Sequence, residues 1–334
     1  MRPVAIARTA ALSAFGAGAR GLGRALANGA ALPGLPAETP LANPRARKMM
    51  SPAAYLAARC LVDLLGDAGW REARDRIGYY LGVGASAGSL EDFMALLDES
   101  LVDGAYSLER FGHRGLAACN PLLAFQLMNN FTLCHGAILE GLGGPNSALF
   151  SRGAGTIAAL GEAVYAVASG ECDRAVTGGA DAPTHPATVE ELAREGLIGR
   201  GLVPADGAGL LALEVANAGD LVIEGCGVAR GRGRPFVEAM DEAVAAARWS
   251  GPVDLVVVAP WGPPGADALR SWTAARCPGS AVVSTAALGE SLAASAALAV
   301  IAAVDLLEPS QRGLVLSLGV DGDPGAVVLA RGAA

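Results

Sequence analysis

The segment Asn120–Ala180, NPLLAFQLMNNFTLCHGAILEGLGGPNSALFSRGAGTIAALGEAVYAVASGECDRAVTGGA, constrains this chain more than any other. It reads in order as an apolar helix, a Gly-rich turn, the short strand Asn146–Phe150, a tight glycine corner, a helix of small residues and the strand Arg174–Thr177. A corner where a strand runs into a helix is exposed, strained and under the positive end of the helix dipole. A fold can present a nucleophile there, with a lowered pKa if it is a thiol. In this chain the corner reads Ser151-Arg152-Gly153-Ala154-Gly155, and no cysteine stands in it.

A chain of 334 residues can form one large α/β unit or two fused halves. Its composition, 52% hydrophobic but only 5% aromatic, means that the apolar mass is Ala, Val and Leu, which suit closely packed helices and buried parallel strands. The net charge is −8 and Lys48 is the sole lysine, so no basic stripe is available for nucleic acid or anionic lipid. Six cysteines without C-x-x-C spacing argue for a reduced, cytoplasmic protein with neither a zinc nor a disulfide framework. Arg8 interrupts the N-terminal apolar run, which does not read as a signal peptide. The longest charge-free apolar stretch, Ser291–Val304, falls short of the roughly 20 residues of a membrane span. Gly82, Gly84 and Gly88 follow a strand with GxGxxxG spacing, which departs from a nucleotide-binding fingerprint.

Along the chain, Pro3–Arg8 reads as a strand and Arg20–Ala27 as a helix, followed by a Pro/Gly-rich surface segment to Pro44. Ser51 is placed to cap a helix reaching about Ala68, with Ala54, Leu56, Ala57, Leu61, Leu64 and Leu65 on one stripe. Arg76–Val83 reads as a buried strand and Ser89 as the start of a helix. Beyond Ala180 come a polar helical segment to Gly196 and the strand Leu210–Val215. A second set follows: strand Leu221–Cys226, helix Pro235–Ala247, strand Val253–Val258, helix Ala266–Arg276, strand Ala281–Ser284 and helix Leu288–Leu307. The strands Leu314–Leu318 and Ala326–Ala330 close it as a hairpin. The alternation predicts parallel sheets flanked by helices, and the similar order of elements predicts duplicated halves, residues 1–215 and 216–334.

Four pieces of this sequence resemble the β-ketoacyl synthases of the thiolase superfamily, over about Pro3 to Arg331. NPLLAFQLMNNFTLCHGAILEGLGGPN is similar to the family's approach to its nucleophile strand, and GEAVYAVASGECDRAVTGGAD to the segment after it. PADGAGLLALE is similar to "GdGAG.lvLE", and SLGVDGDPGAVVL takes the place of the C-terminal "sFGFGGtN" loop. The resemblance implies an α/β fold, a five-layer αβαβα arrangement of two duplicated halves, working as a dimer. It implies chemistry by a cysteine that carries the acyl chain, two histidines and a supporting lysine.

This chain departs from the family at every one of those positions. The cysteine's place is Gly153. The first histidine's motif falls on Ala259–Pro264, where Pro260 and Trp261 stand; the lysine's place is Ala286, the second histidine's Glu290, and the gating phenylalanine's Val320. The only histidines are His113, His135 and His185, so no shift of alignment recovers an acid/base beyond residue 185. His135 reads as structural, and His113 and His185 as solvated loop residues. Cys134 and Cys172 read as packing residues. Ser151 lacks a base to activate it. Glu290 is a candidate to face the vestigial pocket or to pair with Arg152.

An inactive chain that keeps the family's fold resembles the ketosynthase β subunit, or chain-length factor, of type II polyketide synthases. The resemblance implies pairing with an active ketosynthase, a carrier protein engaged mainly through that partner, no cofactor or metal, and a tunnel across the dimer interface that sets product length. The implied tunnel and interface residues are Ala87, Leu123, Phe125, Met128, Phe131, Asn146 and Phe150, with the helix Leu122–Thr132 as the floor and strand Asn146–Phe150 pairing across the twofold axis. Phe125, Met128 and Phe131 recur at i, i+3, i+6, the spacing of an ordinary core stripe as much as of a tunnel wall. The compact length leans towards reduced, polyene-like products over aromatic ones. Two other readings stay open: a homodimeric protein that holds an acyl chain or carrier protein without chemistry, and an enzyme with displaced chemistry through Ser151 or Glu290.

Overall fold

The chain's apolar runs become strands buried on both faces. A computed structural model describes residues 2–31, 34, 41, 43–66, 70 and 72–333. Ten main strands form a continuous sheet: β1 Val4–Ser13, β2 Ile77–Val83, β3 Asn146–Phe150, β4 Arg174–Asp181, β5 Gly207–Val215, β6 Leu221–Val228, β7 Leu255–Pro260, β8 Ala281–Ser284, β9 Arg312–Leu318 and β10 Pro324–Arg331. Their spatial order is β8-β7-β9-β10-β6-β1-β5-β4-β2-β3, and a two-residue strand, Gly16–Ala17, pairs beside β1.

This order contains the same five-strand pattern twice. In the first half β2 pairs in parallel with β3 and β4, β4 antiparallel with β5, and β5 antiparallel with β1. In the second, β7 pairs in parallel with β8 and β9, β9 antiparallel with β10, and β10 antiparallel with β6. A single residue pair, Ala5 with Val222, joins the two. Each half is therefore mixed, three parallel strands and a returning antiparallel pair, where the sequence pattern predicted parallel sheets. Short connections such as that between β9 and β10 lack the residues a parallel crossover needs.

The helices are α1 Leu22–Ala27, α2 Pro52–Leu65, α3 Leu90–Ser100, α4 Leu123–Leu127, α5 Phe131–Glu140, α6 Gly155–Ser169, α7 Pro186–Arg194, α8 Phe236–Ala246, α9 Pro263–Arg276 and α10 Ser295–Leu306. They complete the five-layer αβαβα fold. α2 and α5 cover the outer face of the first half, α8 and α9 that of the second, and α6 and α10 lie between the sheets, each touching strands of both halves. Alternation along the strands sorts the side chains into separate cores. Val315 and Val257 face the central layer with Leu160 and Ile301, whereas Leu314, Leu316 and Val256 face Trp272 and Met240 outside. Leu210 and Ala212 face Leu61 and Leu64 of α2. Enclosure on all sides explains why α10 is apolar round its circumference, with Ala296 to Ala303 all buried.

Local chemistry sets the boundaries. The Ser51 hydroxyl accepts from the N–H of Ala54, capping α2, which ends at Gly66; the expected end near Ala68 lies outside the described residues. Ser89 caps α3 through the N–H of Asp92. The helix expected over Leu288–Leu307 begins only at Ser295, after two short 3-10 turns. The Glu290 carboxylate bonds the Leu292 N–H and the Ser295 hydroxyl and holds the chain in a turn. The helix expected over Leu122–Thr132 is two pieces, α4 and α5. Met128 is extended at the break, and the Asn129 side chain accepts from the backbone N–H of Ser86 at 2.8 Å, an interaction outside the helix.

Candidate functional site

The positions singled out from the sequence lie just beyond the carboxyl ends of parallel strands, where open α/β sheets place ligands. In the first half these are the Gly84–Ser89 loop after β2 and the corner after β3, joined by Asp181 at the end of β4, which was not among them; in the second, Trp261 after β7, Ala286–Glu290 after β8 and Val320 after β9. The central layer delivers α6 to this edge by close approach. A Cβ on Gly82 of β2 or Gly179 of β4 would overlap the Thr156 side chain, so only glycine lets the N-terminus of α6 settle there. The Thr156 hydroxyl donates to the Ala293 carbonyl and ties that turn to the one preceding α10.

At the corner itself, Gly153 has φ 154°, and a Cβ there would stand 2.6 Å from the Gly319 Cα. The site of the absent side chain is occupied by the backbone of the loop after β9. Arg152 fastens that loop down. Its guanidinium bonds Asp321 at 2.7 and 3.0 Å and Glu195 at 2.8 and 3.0 Å, with Glu191 at 3.7 Å. Burial alone would lower the Arg152 pKa; the hydrogen bonds it donates to Glu195 and Asp321 outweigh that and the net shift is upward. The Ser151 hydroxyl has no hydrogen-bond partner among the described residues, and no histidine stands beside it.

Apart from Gly153, the positions expected to be degenerate divide between two openings. Pro260, Trp261, Ala286 and Glu290 line one cavity of about 370 Å³, whereas Val320 lines another of about 760 Å³ with Arg152, Arg230, Arg232 and Asp321. Trp261 is buried, with the Arg200 guanidinium 5.0 Å from its ring centre. Glu290 is 4% exposed; its Oε1 accepts from the Leu292 N–H at 2.7 Å and the Ser295 hydroxyl at 2.8 Å. Glu290 lines the cavity, and among the described residues the Arg152 guanidinium pairs instead with Asp321 and Glu195. Burial pushes the Glu290 carboxyl up to about 8, assisted by repulsion from Asp181. Asp181, also buried, is pushed up to about 7 by desolvation; it accepts from the N–H groups of Ala182 and Ala293. Asp181 was legible only as the acidic residue ending the apolar run AVTGGAD, a signal the motif reading passed over.

The remaining candidates fall as follows. His135 is buried between Met49, whose carbonyl is 2.9 Å from Nε2, and Phe131, whose ring centre is 5.2 Å away; burial lowers its pKa. His113 is exposed, although in a helical turn. His185 corrects the solvated reading: its Nδ1 accepts from the Ala187 N–H to cap α7, and its Nε2 lies 3.1 Å from the Gly88 carbonyl. Burial raises the thiol pKa of Cys60, Cys134, Cys172, Cys226 and Cys277, so none of these is poised as a thiolate.

Phe125 and Phe131 meet edge to face at 5.1 Å despite the break between α4 and α5, and Met128 at the break is exposed. Leu123 is buried, its side chain against Gly88. Ala87 lines a separate small cavity with Leu90, Phe93 and Leu127. Asn146 and Phe150 lie on β3, which among the described residues pairs with β2 alone and forms a sheet edge. Among the described residues no acidic, histidine or cysteine cluster fits a metal ion, and no helix is long and apolar enough to cross a membrane.

The family model "Beta-ketoacyl synthase, N-terminal domain" matches residues 33–218. No curated protein matches the chain. Solved structures match it end to end. "The ishigamide ketosynthase/chain length factor" has a TM-score of 0.75 at 21% identity, covering 99% of each chain. AntDE:AntF, a type II PKS acyl-carrier protein in complex with its ketosynthase bound to the hexaketide, has 0.74 at 11%, covering 99% of this chain and 100% of that one. A β-ketoacyl synthase from Burkholderia phymatum STM815 has 0.72 at 20%, with the same coverage. At these identities the likeness is one of fold, and the fold is that of a ketosynthase and of a chain length factor alike. Matched by the family model over more than half of its length, the chain belongs to the β-ketoacyl synthase family.

Proposed function

We propose that this chain is a catalytically silent ketosynthase-like subunit, a chain-length factor that pairs with an active ketosynthase in a type II polyketide synthase. The observation that carries the reading is Gly153: the nucleophile's position has no side chain, and Gly319 fills the space one would need. Trp261 and Glu290 stand where the resemblance puts the histidines: Trp261 has no group that titrates near neutral pH, and Glu290, raised to about 8, has no nucleophile at residue 153 whose proton it could take. The halves divide in this reading at residues 215 and 216.

Its function is then steric and interfacial. Edge strand β3 adds to the partner's equivalent strand, which satisfies its unpaired backbone groups. The exposed apolar residues near it, Phe150, Phe125 and Met128 among them, are covered in the complex. Phe125 and Phe131, in edge-to-face contact, form the floor against which the growing chain stops, while Ala87 keeps the passage open. The carrier protein is received mainly by the partner, and the products are of the reduced, polyene-like type.

The test is the native mass of the chain expressed alone and with the ketosynthase encoded beside it. A one-to-one heterodimer, whose condensing activity disappears when the partner's cysteine is replaced, is the expected result. A stable homodimer that ignores the ketosynthase overturns the reading in favour of a binding protein. Turnover of malonyl carrier protein by the chain alone overturns the silent assignment.

A further inference from the structure

The cavity of about 370 Å³ beside Trp261 has features of a binding site in its own right. At the roughly 30 Å³ that a water occupies in the liquid, it has room for about a dozen non-hydrogen atoms. Its walls are mostly apolar or backbone: Pro260, Trp261, Pro263, Ala266, Ala286 and Gly289. The polar group set deepest in it is Glu290, buried and held by two hydrogen bonds that both end on Oε1. Oε2 has no hydrogen-bond partner among the described residues. One carboxyl oxygen is anchored, and the other is left without a protein partner in a residue that lines the cavity.

The charge around Glu290 decides what that oxygen takes. Asp181 approaches from β4, with Asp206 acting on Asp181 in turn. From α9, Asp267 and Arg270 stand on the cavity wall as an ion pair of 3.1 Å, and Arg200 lies over the Trp261 ring. The formal charges on the wall, Asp267 and Arg270, neutralise each other as a pair, so neither an anion nor a cation entering finds an unpaired countercharge there. A buried carboxyl kept neutral is a hydrogen-bond donor, and an apolar chamber with one such donor selects a neutral acceptor.

We propose that this chamber binds a small neutral molecule through a carbonyl oxygen, an amide or ester flanked by apolar groups, with the Glu290 carboxylic acid donating the hydrogen bond and Trp261 and the prolines enclosing the apolar part. The site is independent of the chain-length reading, because it lies within this chain and needs no partner subunit.

The test uses titration calorimetry on the full chain with N-butylhexanamide as the neutral probe and decanoate and decylammonium as charged probes of similar size. The amide binds at pH 6 and at least tenfold more weakly at pH 9.5, with the change centred near pH 8, where Glu290 loses its proton. Glu290→Gln keeps a donor without a titrating proton, so the amide binds it equally at both pH values. Ala286→Trp fills the chamber from its exposed rim, leaves the core untouched and abolishes binding. Three results each overturn the proposal: no amide binding by the unmodified chain at pH 6, undiminished binding by a folded Ala286→Trp variant, or tighter binding of either charged probe. A pH dependence that persists in Glu290→Gln overturns the assignment of the donor.

Discussion

Gly153 shows how one residue closes a site. Restoring a thiol with Gly153→Cys places a Cβ against the Gly319 backbone at a positive φ, a strain on the order of 1–3 kcal/mol. The expected outcome is a lower melting temperature and no condensing activity; acylation of the new thiol by an activated acyl thioester would contradict it. That residue 153 carries no side chain and that no histidine lies beyond residue 185 were legible from residue types alone. What fills the space was not, because the backbone of the loop after β9 is more than 160 residues away in sequence and reaches the corner only through the fold. The same applies to Arg152, whose Asp321 and Glu195 partners come from different elements. His185 likewise reads as a solvated loop residue until Gly88, nearly a hundred positions earlier, stands beside it.

Elements were read more reliably than their ends. Strand β3 falls on the predicted bounds, since a short apolar run between a Pro-Asn turn and a glycine corner has no room to extend. Helix α10 starts late because the Glu290 side chain takes the Leu292 N–H, and at the α4–α5 break Asn129 is held by the Ser86 N–H from another element; hydrophobic periodicity registers neither effect. In a complex with its ketosynthase, Phe125→Ala or Phe131→Ala is expected to lengthen the product, read by mass spectrometry. Unchanged products from both variants would remove these rings from the floor. A charge on the sheet edge, Phe150→Asp, is expected to prevent the heterodimer while leaving the monomer folded, as followed by native mass and circular dichroism.

Two buried acids make the stability of the whole molecule depend on pH. Asp181 and Glu290 hold protons to about pH 7 and 8 in the folded chain, against 3.8 and 4.5 for the ordinary carboxyl groups. Between those values the unfolded chain binds fewer protons than the folded one, so the stability these groups contribute is complete below about pH 4 and is lost as pH rises through 7 and 8. Glu290→Gln removes one of the two. Its stability relative to the unmodified chain is expected to rise between pH 5 and pH 8.5, by on the order of 3 kcal/mol, measured by denaturant titration at each pH. A constant difference across that range would mean that Glu290 is ionised in the fold.

The ten-stranded ribbon has two ends, and they are not equivalent. β3 exposes a five-residue edge with Phe150 59% exposed at its tip, whereas the opposite end, β8, is only four residues long. A chain with two good edges polymerises, because each addition leaves a fresh edge behind it. A chain with one pairs once and stops. In the proposed heterodimer β3 is the edge that pairs, and the two shorter outer strands lie at the far ends of the joined ribbon.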